Sequence, residues 1–258
     1  MTIIIVVMDK TVVQKLFDIN DQFYQEYGSA FAETRRRIQP GVRRILPEWI
    51  RDGNWLDLGC GSGALSAAWV EQGISGLYEG LDFSQVLIAA ARAASRKYVL
   101  KPGQQVLFNR VNLSEATWTQ ACSLSQYDGV LMFAALHHIP SADTRTRLLR
   151  QIAGLLPPGG LFIHSEWQFD NNPKLVARIQ PWSLVDMTEA DVEMGDTLLD
   201  WRHVMPKQSG KPGLRYVHLF SRSELVVLAG ESGFEIKAEF TSDGVSADLS
   251  LYQVWQKI

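Results

Sequence analysis

The stretch WLDLGCGSGAL, residues 55–65, determines the fold that the sequence predicts. It begins as a short apolar strand that includes one acid, Asp57, and it continues with glycines at alternate positions, Gly59, Gly61 and Gly63. Glycine permits a tight turn and lets a ligand approach the backbone closely. A helix that starts just after such a turn directs its positive end toward the turn. The stretch therefore predicts a ligand-binding turn between a strand and a helix.

Short apolar runs alternate with helical stretches around this turn, which is typical of strand–helix–strand units in a parallel sheet. The predicted strands are residues 54–58, 76–81, 105–109, 127–133, 159–165, 233–240 and 249–256. The predicted helices are residues 63–72, 84–97, 115–122, 142–155 and 222–231. The pattern predicts an α/β fold of the Rossmann-like, doubly wound type with a mostly parallel sheet.

The chain divides into four predicted segments. Residues 1–52 are expected to form an N-terminal helical cap, because apolar residues recur at helical spacing and a second helix begins at about Pro40. Residues 53–168 are expected to form the ligand-binding core. Residues 169–220, which are polar and interrupted by tryptophans, are expected to form a cap insertion on the substrate side. Residues 221–258 then add a last helix and the closing strands of the core.

Composition and charge exclude several classes of protein. With 46% hydrophobic and 21% charged residues, the chain can bury a large core, which argues against a disordered protein. A net charge of −3 excludes a uniformly basic nucleic-acid binder. Cys60 and Cys122 have neither metal-ligand spacing nor a disulfide framework, so we expect no metal site. The longest apolar run, residues 3–8, is far shorter than a membrane-spanning helix, so we expect a cytoplasmic protein with no membrane partner.

The acid in front of the glycines distinguishes between two kinds of ligand. Gly59, Gly61 and Ala64 also satisfy a dinucleotide fingerprint, so the glycines alone leave both kinds open. A carboxylate at Asp57 would lie near a pyrophosphate and oppose it, whereas S-adenosylmethionine carries an ammonium and a sulfonium that a carboxylate attracts. The sequence therefore predicts S-adenosylmethionine as the cofactor.

Other residues at the strand ends complete the predicted cofactor site. Asp82 ends the second strand, where it is placed to accept hydrogen bonds from a ribose diol, although it could instead be a helix-start acid. Asn112 is placed to accept from an adenine amine while the Leu113 backbone bonds a ring nitrogen; an ordinary turn asparagine is the alternative. Phe83 and Phe133 adjoin these strand ends and are also assigned to the cofactor.

Two adjacent histidines, His137 and His138, follow the fourth predicted strand. The carboxyl ends of strands in doubly wound sheets meet at one crevice, so these histidines should adjoin the site. Because neighbouring side chains point in different directions, we expect at most one to face the methyl acceptor, and we favour His137. A structural, hydrogen-bonded histidine is the alternative.

Four motifs occur in a fixed order: DLGCGSG at 57–63, LDFS at 81–84, ALHHIP at 135–140 and LLPPGG at 155–160. Together they make the chain resemble the class I S-adenosylmethionine-dependent methyltransferases. This resemblance implies a seven-stranded sheet whose closing strand is antiparallel. Asp57, Gly59, Gly61 and Gly63 match the glycine turn of that family.

Three further segments are similar to one branch of that family, the tRNA wobble-uridine methyltransferases that esterify a 5-carboxymethyl group. They are FAETR at 31–35, YVHLFSRSEL at 216–225 and WQK at 255–257. The segments 165–168 and 180–182 match that branch only in part. The resemblance implies a carboxylate acceptor on tRNA. In some members it also implies a small zinc-binding activator protein that pairs with an edge strand.

The branch suggests roles for four residues around the acceptor. Arg35 would hold one carboxylate oxygen or a nearby phosphate through paired hydrogen bonds. His137, Trp167 and His218 would shape the acceptor pocket, and Trp167 could stack on a base. For the activator protein, Val106 to Val111 is the candidate edge strand.

Basic residues cluster in two regions that we expect to border the site as a phosphate-contacting rim. They are Arg35, Arg36, Arg37, Arg43, Arg44 and Arg51 before the sheet, and Arg202, Lys207, Lys211, Arg215 and Arg222 in and beside the cap. A solvated helix face is the alternative explanation for the first cluster. A methyltransferase for a small-molecule acceptor under a closed lid, a nicotinamide-dependent oxidoreductase and a non-catalytic cofactor-binding subunit remain the alternative functions.

Overall fold

The structure is a computed structural model that describes residues 8–34, 37–201 and 213–258. Its strands are β1 (Trp55–Leu58), β2 (Gly76–Asp82), β3 (Gln104–Arg110), β4 (Gly129–Phe133), β5 (Leu161–Trp167), β6 (Ile179–Gln180), β7 (Asp196–Trp201), β8 (Gly213–His218), β9 (Phe234–Ser242) and β10 (Ser250–Lys257). Its α-helices are α1 (Lys10–Thr34), α2 (Pro40–Trp49), α3 (Ala64–Gln72), α4 (Gln85–Ser95), α5 (Ala142–Gly154), α6 (Pro173–Val176) and α7 (Arg222–Glu231).

Seven strands form the central sheet in the order β3-β2-β1-β4-β5-β10-β9. The pairs β1–β2, β2–β3, β1–β4 and β4–β5 are parallel, and β10 runs antiparallel to both of its neighbours. The predicted Rossmann-like sheet with an antiparallel closing strand is therefore confirmed. The strand order reverses between β1 and β4, which opens a crevice at their carboxyl ends.

Helices cover both faces of this sheet, as a doubly wound fold requires. On one face Ile45 of α2 and Trp69 of α3 share an apolar cluster with Tyr78 of β2. On the other face Leu149 of α5 and Leu225 of α7 pack against the sheet in a second cluster. Full burial of one such aliphatic side chain stabilises a fold by about 1.5–3 kcal/mol. The core therefore consists of two apolar layers that hold the strand ends in fixed positions.

One predicted helix is wrong. Residues 115–122 form only a short 3-10 turn, Trp118–Ala121. The Trp118 side chain is buried, and its Nε1 donates to Oε1 of Gln151 at 2.9 Å. Gln151 Nε2 donates back to the Ala116 carbonyl at 2.7 Å. The Ala116 carbonyl thus bonds to a side chain of α5 instead of to the backbone N–H that a longer helix would offer it.

A second sheet that the sequence pattern did not predict lies within residues 169–220, the segment predicted to form the cap. Its three strands are antiparallel in the order β6-β7-β8. The helix α1 packs along this sheet, because Leu16 shares an apolar cluster with Leu198 of β7 and Tyr216 of β8. Asn20 of α1 fixes the contact, since it bonds the Tyr216 backbone N–H at 2.9 Å and carbonyl at 3.2 Å. The small sheet and α1 together cover the crevice of the central sheet.

The strand β3 lies at one edge of the central sheet and contains most of the predicted edge segment, residues 106–111. Leu107 on this strand is exposed. Within the three described ranges, no helix is both long and apolar enough to cross a bilayer.

Candidate active site

A cavity of about 490 Å³ lies at the crevice between the carboxyl ends of the parallel strands and α1. One part of its wall comes from the glycine turn after β1 and the ends of β2 and β4. The other part comes from α1, β5, β8 and the segment that joins β9 to β10. The residues predicted for the cofactor that line it are Asp57, Gly59, Gly61, Asp82, Phe83, Asn112, Leu113 and Phe133.

Two glycines of the turn serve different purposes. Gly61 lines the cavity with φ of +55°, and a Cβ built there would meet no protein atom within 4 Å. Gly63 also has a left-handed φ of +78°, but its Cβ would lie 3.0 Å from Phe108 Cζ. Gly63 does not line the cavity, because it caps the start of α3 against the packed interior. The open space therefore lies over Gly61.

Asp82 links the end of β2 to the glycine turn. Its Oδ2 accepts from the Gly61 backbone N–H at 3.0 Å, and its Oδ1 accepts from the Ser84 N–H at 2.9 Å. The second of these bonds is the helix-start contact considered as the alternative for this residue. Burial raises the pKa of Asp82 to about 6, although both backbone bonds oppose the shift.

Asp57 is buried at the end of β1, and the Tyr78 hydroxyl donates to its carboxylate. Burial raises the pKa of Asp57 to about 7; the Tyr78 bond opposes this shift and the negative charge of Asp82 adds to it. A cation in the cavity would relieve the cost of keeping both acids ionised. The cavity wall therefore favours a ligand with a positive group near Asp57.

The structure agrees only in part with the prediction that the Asn112 side chain binds the adenine amine. Asn112 lines the cavity, but its side-chain oxygen already accepts from the Ser114 N–H at 3.0 Å in a turn. This is the ordinary turn asparagine considered as the alternative. Phe83 and Leu113 lie beside it in the wall, and the Phe83 ring packs edge-on against Tyr24 of α1 at 5.5 Å between centroids.

Both histidines after β4 line the cavity, and the expectation that at most one of them faces the methyl acceptor stays a prediction. They lie in a 3-10 turn, where the two rings are 4.5 Å apart between centroids, rather than on an extended strand with alternating sides. His138 is held by structural contacts. Its Nδ1 is 3.0 Å from the Tyr216 carbonyl, and its Nε2 is 3.3 Å from the Tyr24 hydroxyl.

His137 has a different set of neighbours. Its Nδ1 is 3.1 Å from Oε2 of Glu166, which is fully buried on β5. The other oxygen of Glu166 is 2.8 Å from Nδ1 of His164. The His137 ring lies parallel to the Trp167 ring, with 5.8 Å between centroids and 2° between planes. Trp167 lines the cavity, as predicted for a residue of the acceptor pocket.

Arg215 of β8 is a cavity residue that the sequence analysis placed only in a basic cluster. It is buried, and its Cζ lies 5.2 Å from the centroid of the Trp167 ring and 5.0 Å from that of Phe23. Guanidinium groups favour such contacts with aromatic faces. The acceptor side of the cavity therefore combines a buried cation with an aromatic surface. The sequence did not indicate that Arg215 faces the cavity, because β8 was not predicted as a strand.

His218 does not line the cavity, which corrects its predicted place. Side chains alternate along β8, so His218 points to the face opposite Arg215. Its Nδ1 is 2.7 Å from Asp196, and its Nε2 is 3.0 Å from Glu224. Burial disfavours a charge on His218, but the bonds to Asp196 and Glu224 outweigh burial and raise its pKa. His218 thus belongs to a contact between the cap sheet and α7.

Glu193, Asp196 and His218 are close enough to share a metal ion, but other groups already engage them. Arg145 Nη2 is 2.6 Å from Oε2 of Glu193, and carboxylates contact both nitrogens of His218. We therefore describe this cluster as an ion-pair network. The remaining predicted acceptor residue, Arg35, lies outside the described residues, and Arg37 at the cavity rim is exposed.

Comparison with known proteins identifies the family. A family model described as a methyltransferase domain matches residues 30–239. A putative methyltransferase of Encephalitozoon cuniculi is 27% identical over 237 residues, which are 92% of this chain and 94% of that protein. The crystal structure of an S-adenosylmethionine-dependent methyltransferase from Methanosarcina mazei aligns with a TM-score of 0.62 at 25% identity, over 86% of this chain and 99% of that one.

Two further relatives have names that specify an acceptor. The ubiquinone biosynthesis O-methyltransferase of Bordetella avium is 32% identical over 140 residues, which are 52% of each protein. The mouse tRNA (carboxymethyluridine(34)-5-O)-methyltransferase ALKBH8 is 24% identical over 153 residues, which are 59% of this chain and 20% of that protein. The chain thus spans about half of the first relative's length and a fifth of the second's.

The cavity wall fits the cofactor of this family. Gly61 leaves the space open that a side chain would fill, and the two buried acids suit a ligand with a cationic methionine part and a ribose. The matched family model covers most of the chain, including this wall. The chain therefore belongs to the methyltransferase-domain family and is an S-adenosylmethionine-dependent methyltransferase.

Proposed function

We propose that this methyltransferase esterifies a carboxylate carried by a wobble uridine of tRNA. The observation that carries the proposal is the buried guanidinium of Arg215 in the cavity wall, beside the Trp167 ring. A buried arginine favours a bidentate carboxylate partner, and a tryptophan face favours a flat base. The match to the mouse tRNA methyltransferase supports the same acceptor.

Methylation of a carboxylate requires little chemistry from the protein. The acceptor is already ionised near pH 7, so the protein has to position and desolvate it. Bound S-adenosylmethionine supplies a methyl group on a sulfonium. Arg215 would hold one carboxylate oxygen so that the other faces the methyl group, and Trp167 would stack on the uracil. His137 and the apolar wall would exclude water from the reacting oxygen.

We propose contacts with S-adenosylmethionine for the predicted cofactor residues from their positions in the cavity wall. Asp57 would attract the methionine ammonium, and Asp82 would accept from the ribose hydroxyls. The Leu113 backbone, beside Asn112, would bond the adenine, while Phe83 and Phe133 would border it. Gly63 would act by holding the turn rather than by touching the cofactor.

Arg35 remains proposed as a contact to a carboxylate oxygen or a nearby phosphate of the acceptor, and Arg36 and Arg37 remain proposed as phosphate contacts on tRNA. Such contacts predict salt-sensitive RNA binding. A small zinc-binding activator protein remains proposed for the edge strand β3, where an added strand would pair with exposed backbone groups.

The affinity for S-adenosylmethionine is expected to fall as the pH is lowered from 7 to 5.5. Asp57 has a pKa of about 7 in the free protein, and a bound cation favours its ionised form. The affinity for S-adenosylmethionine is therefore highest above that pKa. Below it, the affinity falls by up to about tenfold per pH unit. Calorimetry across this range, in buffers of different ionisation enthalpy, would measure the affinity and the proton released. The variant Asp57→Asn should lose the pH dependence centred near pH 7 and keep only that of Asp82, whose pKa is about 6. An equal slope in both proteins between pH 7 and 6 would contradict the assignment of Asp57.

The test of the acceptor uses methyl-labelled S-adenosylmethionine and total tRNA from cells that lack wobble methyl esters. We expect label to enter the tRNA and to leave as volatile methanol in mild alkali, because methyl esters hydrolyse there. The same tRNA incubated with labelled S-adenosylmethionine but without the protein serves as the control. Absence of label, with cofactor binding confirmed in parallel, would favour a small-molecule acceptor or a missing activator protein.

A further inference from the structure

An aspartate in the cavity wall, Asp243, has no role in the contacts proposed so far. It follows the last residue of β9, is buried and lines the cavity. That last residue, Ser242, pairs with Ser250 of β10, and Ser250 pairs with Trp167 of β5. Adjacent strands lie about 5 Å apart, so Asp243 is roughly two strand spacings from Trp167. An acceptor base that contacts Trp167 would therefore bring its far edge toward this carboxylate.

Two donors hold the Asp243 carboxylate in place. Its Oδ1 accepts from the Gly41 backbone N–H in the first turn of α2 at 3.0 Å, and its Oδ2 accepts from the Tyr252 hydroxyl at 2.7 Å. The two donors are packed tightly against each other, because a Cβ at Gly41 would collide with the Tyr252 ring. Asp243 also has a φ of +69°, in the left-handed region that aspartate tolerates better than most residues do. The carboxylate is therefore fixed in position before an acceptor binds.

Asp243 and Tyr252 offer acceptor atoms to a ligand. Each oxygen of an ionised carboxylate can accept two hydrogen bonds, so both Asp243 oxygens keep capacity beyond their bonds to Gly41 and Tyr252. Burial and the bond to Asp243 raise the pKa of Tyr252, so its hydroxyl keeps the proton and directs it to Asp243. A ligand atom with a lone pair would be repelled here, whereas an N–H would be bound. This part of the wall therefore favours a hydrogen-bond donor on the acceptor.

We infer that Asp243 recognises the acceptor base by accepting a hydrogen bond from its ring N–H, and that it thereby selects uracil over cytosine. The inference rests on the tRNA acceptor proposed above and adds a specificity-determining residue to it. At neutral pH the N3 atom of uracil carries a hydrogen, whereas N3 of cytosine carries a lone pair. N3 is not adjacent to C5, where the carboxymethyl group is attached. The N3–H can therefore face Asp243 while the carboxylate of the base faces the methyl group.

Asp243 also has a structural role, because it ties the segment between β9 and β10 to the first turn of α2. The chain offers a matched control for that role in Asp196, which is likewise buried. Asp196 accepts from the Glu193 backbone N–H at 2.9 Å and from the Tyr216 hydroxyl at 2.7 Å, and it also pairs with His218. It does not line the cavity. Asparagine at either position disturbs similar structural bonds, but only Asp243→Asn changes what an acceptor contacts.

The test compares two anticodon stem–loop RNAs that differ at the wobble position, where one carries 5-carboxymethyluridine and the other 5-carboxymethylcytidine. Their dissociation constants are measured with the protein saturated with S-adenosylhomocysteine, and their kcat/KM values are measured from the methanol released in mild alkali. For the parent we expect kcat/KM to favour the uridine RNA at least about thirtyfold, because a buried carboxylate that faces a lone pair loses its hydrogen bond. The dissociation constants should favour the same RNA at least about tenfold.

Asp243→Asn should remove this preference. The asparagine amide has the size of the carboxylate and can either accept from N3–H or donate to the N3 lone pair, so we expect the ratio between the two RNAs to fall below about fivefold. Tyr252→Phe keeps the ring but releases one oxygen of Asp243, so the ratio should fall at least about threefold. Asp196→Asn should keep the parent's ratio. The affinity of each variant for S-adenosylhomocysteine should stay within about twofold of the parent's, since none of these residues is assigned to the cofactor.

Two outcomes would overturn the inference. One is that the parent binds the two RNAs equally well and, where ester forms, esterifies them equally well. The other is that folded Asp243→Asn keeps the parent's ratio, which would leave Asp243 a purely structural residue. Absence of ester on both RNAs would reject the proposed methylation of tRNA, whereas a uridine preference in binding that Asp243→Asn removes would still support recognition by Asp243. Failure of the proposed function and failure of this inference are thus distinguishable.

Discussion

Replacing Arg215 by methionine is expected to lower kcat/KM for a carboxylate acceptor about 200-fold, which corresponds to about 3 kcal/mol. Methionine keeps an apolar stem of similar length against Phe23 and Trp167 but removes the charge and the paired donors. A carboxylate would then enter a dehydrated wall without a cationic partner. The dissociation constant for S-adenosylmethionine should stay within about twofold, because Arg215 is on the side of the cavity away from the glycine turn.

The conservative variant Arg215→Lys separates charge from geometry. Lysine restores a positive charge but not the planar pair of donors, so we expect a loss of about tenfold rather than 200-fold. The matched control is Arg150→Met on α5, an exposed arginine outside the cavity wall, for which we expect no change in kcat/KM. Thermal unfolding would show whether each variant is folded. Parent-like activity of folded Arg215→Met on the carboxylate acceptor would remove Arg215 from the acceptor site.

The sheet and the cofactor side of the cavity could be predicted from the sequence because their signals are local. The acid and the alternate glycines of residues 57–63 lie in one continuous stretch, and the geometry of a strand–turn–helix unit brings Asp57, Gly59 and Gly61 to the cavity. Asp82 ends the next strand, and parallel strands bring their carboxyl ends together. A pattern of short apolar runs is sufficient to place such residues.

The acceptor side could not be predicted in the same way, because it depends on contacts between distant segments. β6 has two residues, and β7 and β8 are separated by residues 202–212, so no local pattern indicated a sheet. Without β8, the sequence could not tell that Arg215 faces the cavity while His218, on the opposite face of the strand, bonds to Asp196. The link from Glu166 to His137 likewise joins β5 to the turn after β4 across 29 residues of chain.

Replacing Gly61 by valine is expected to weaken S-adenosylmethionine binding about 200-fold, or about 3 kcal/mol, with little change in fold. Gly61 has a φ of +55°, and a Cβ there would meet no protein atom within 4 Å. The isopropyl group would therefore occupy open cavity rather than disturb packing. A branched residue in the left-handed region also costs about 1–2 kcal/mol of folding free energy, so strain has to be separated from obstruction.

Gly233→Val provides that separation. Gly233 joins α7 to β9 with a φ of +82°, a Cβ there also meets nothing within 4 Å, and the residue does not line the cavity. Both variants should lose a similar free energy of unfolding in urea, because both place valine at a positive φ. Only Gly61→Val should lose affinity for S-adenosylmethionine in calorimetry. If the two variants bound the cofactor equally well, the space over Gly61 would not be where the cofactor lies, and the assignment of Asp57 and Asp82 to its charged groups would fail with it.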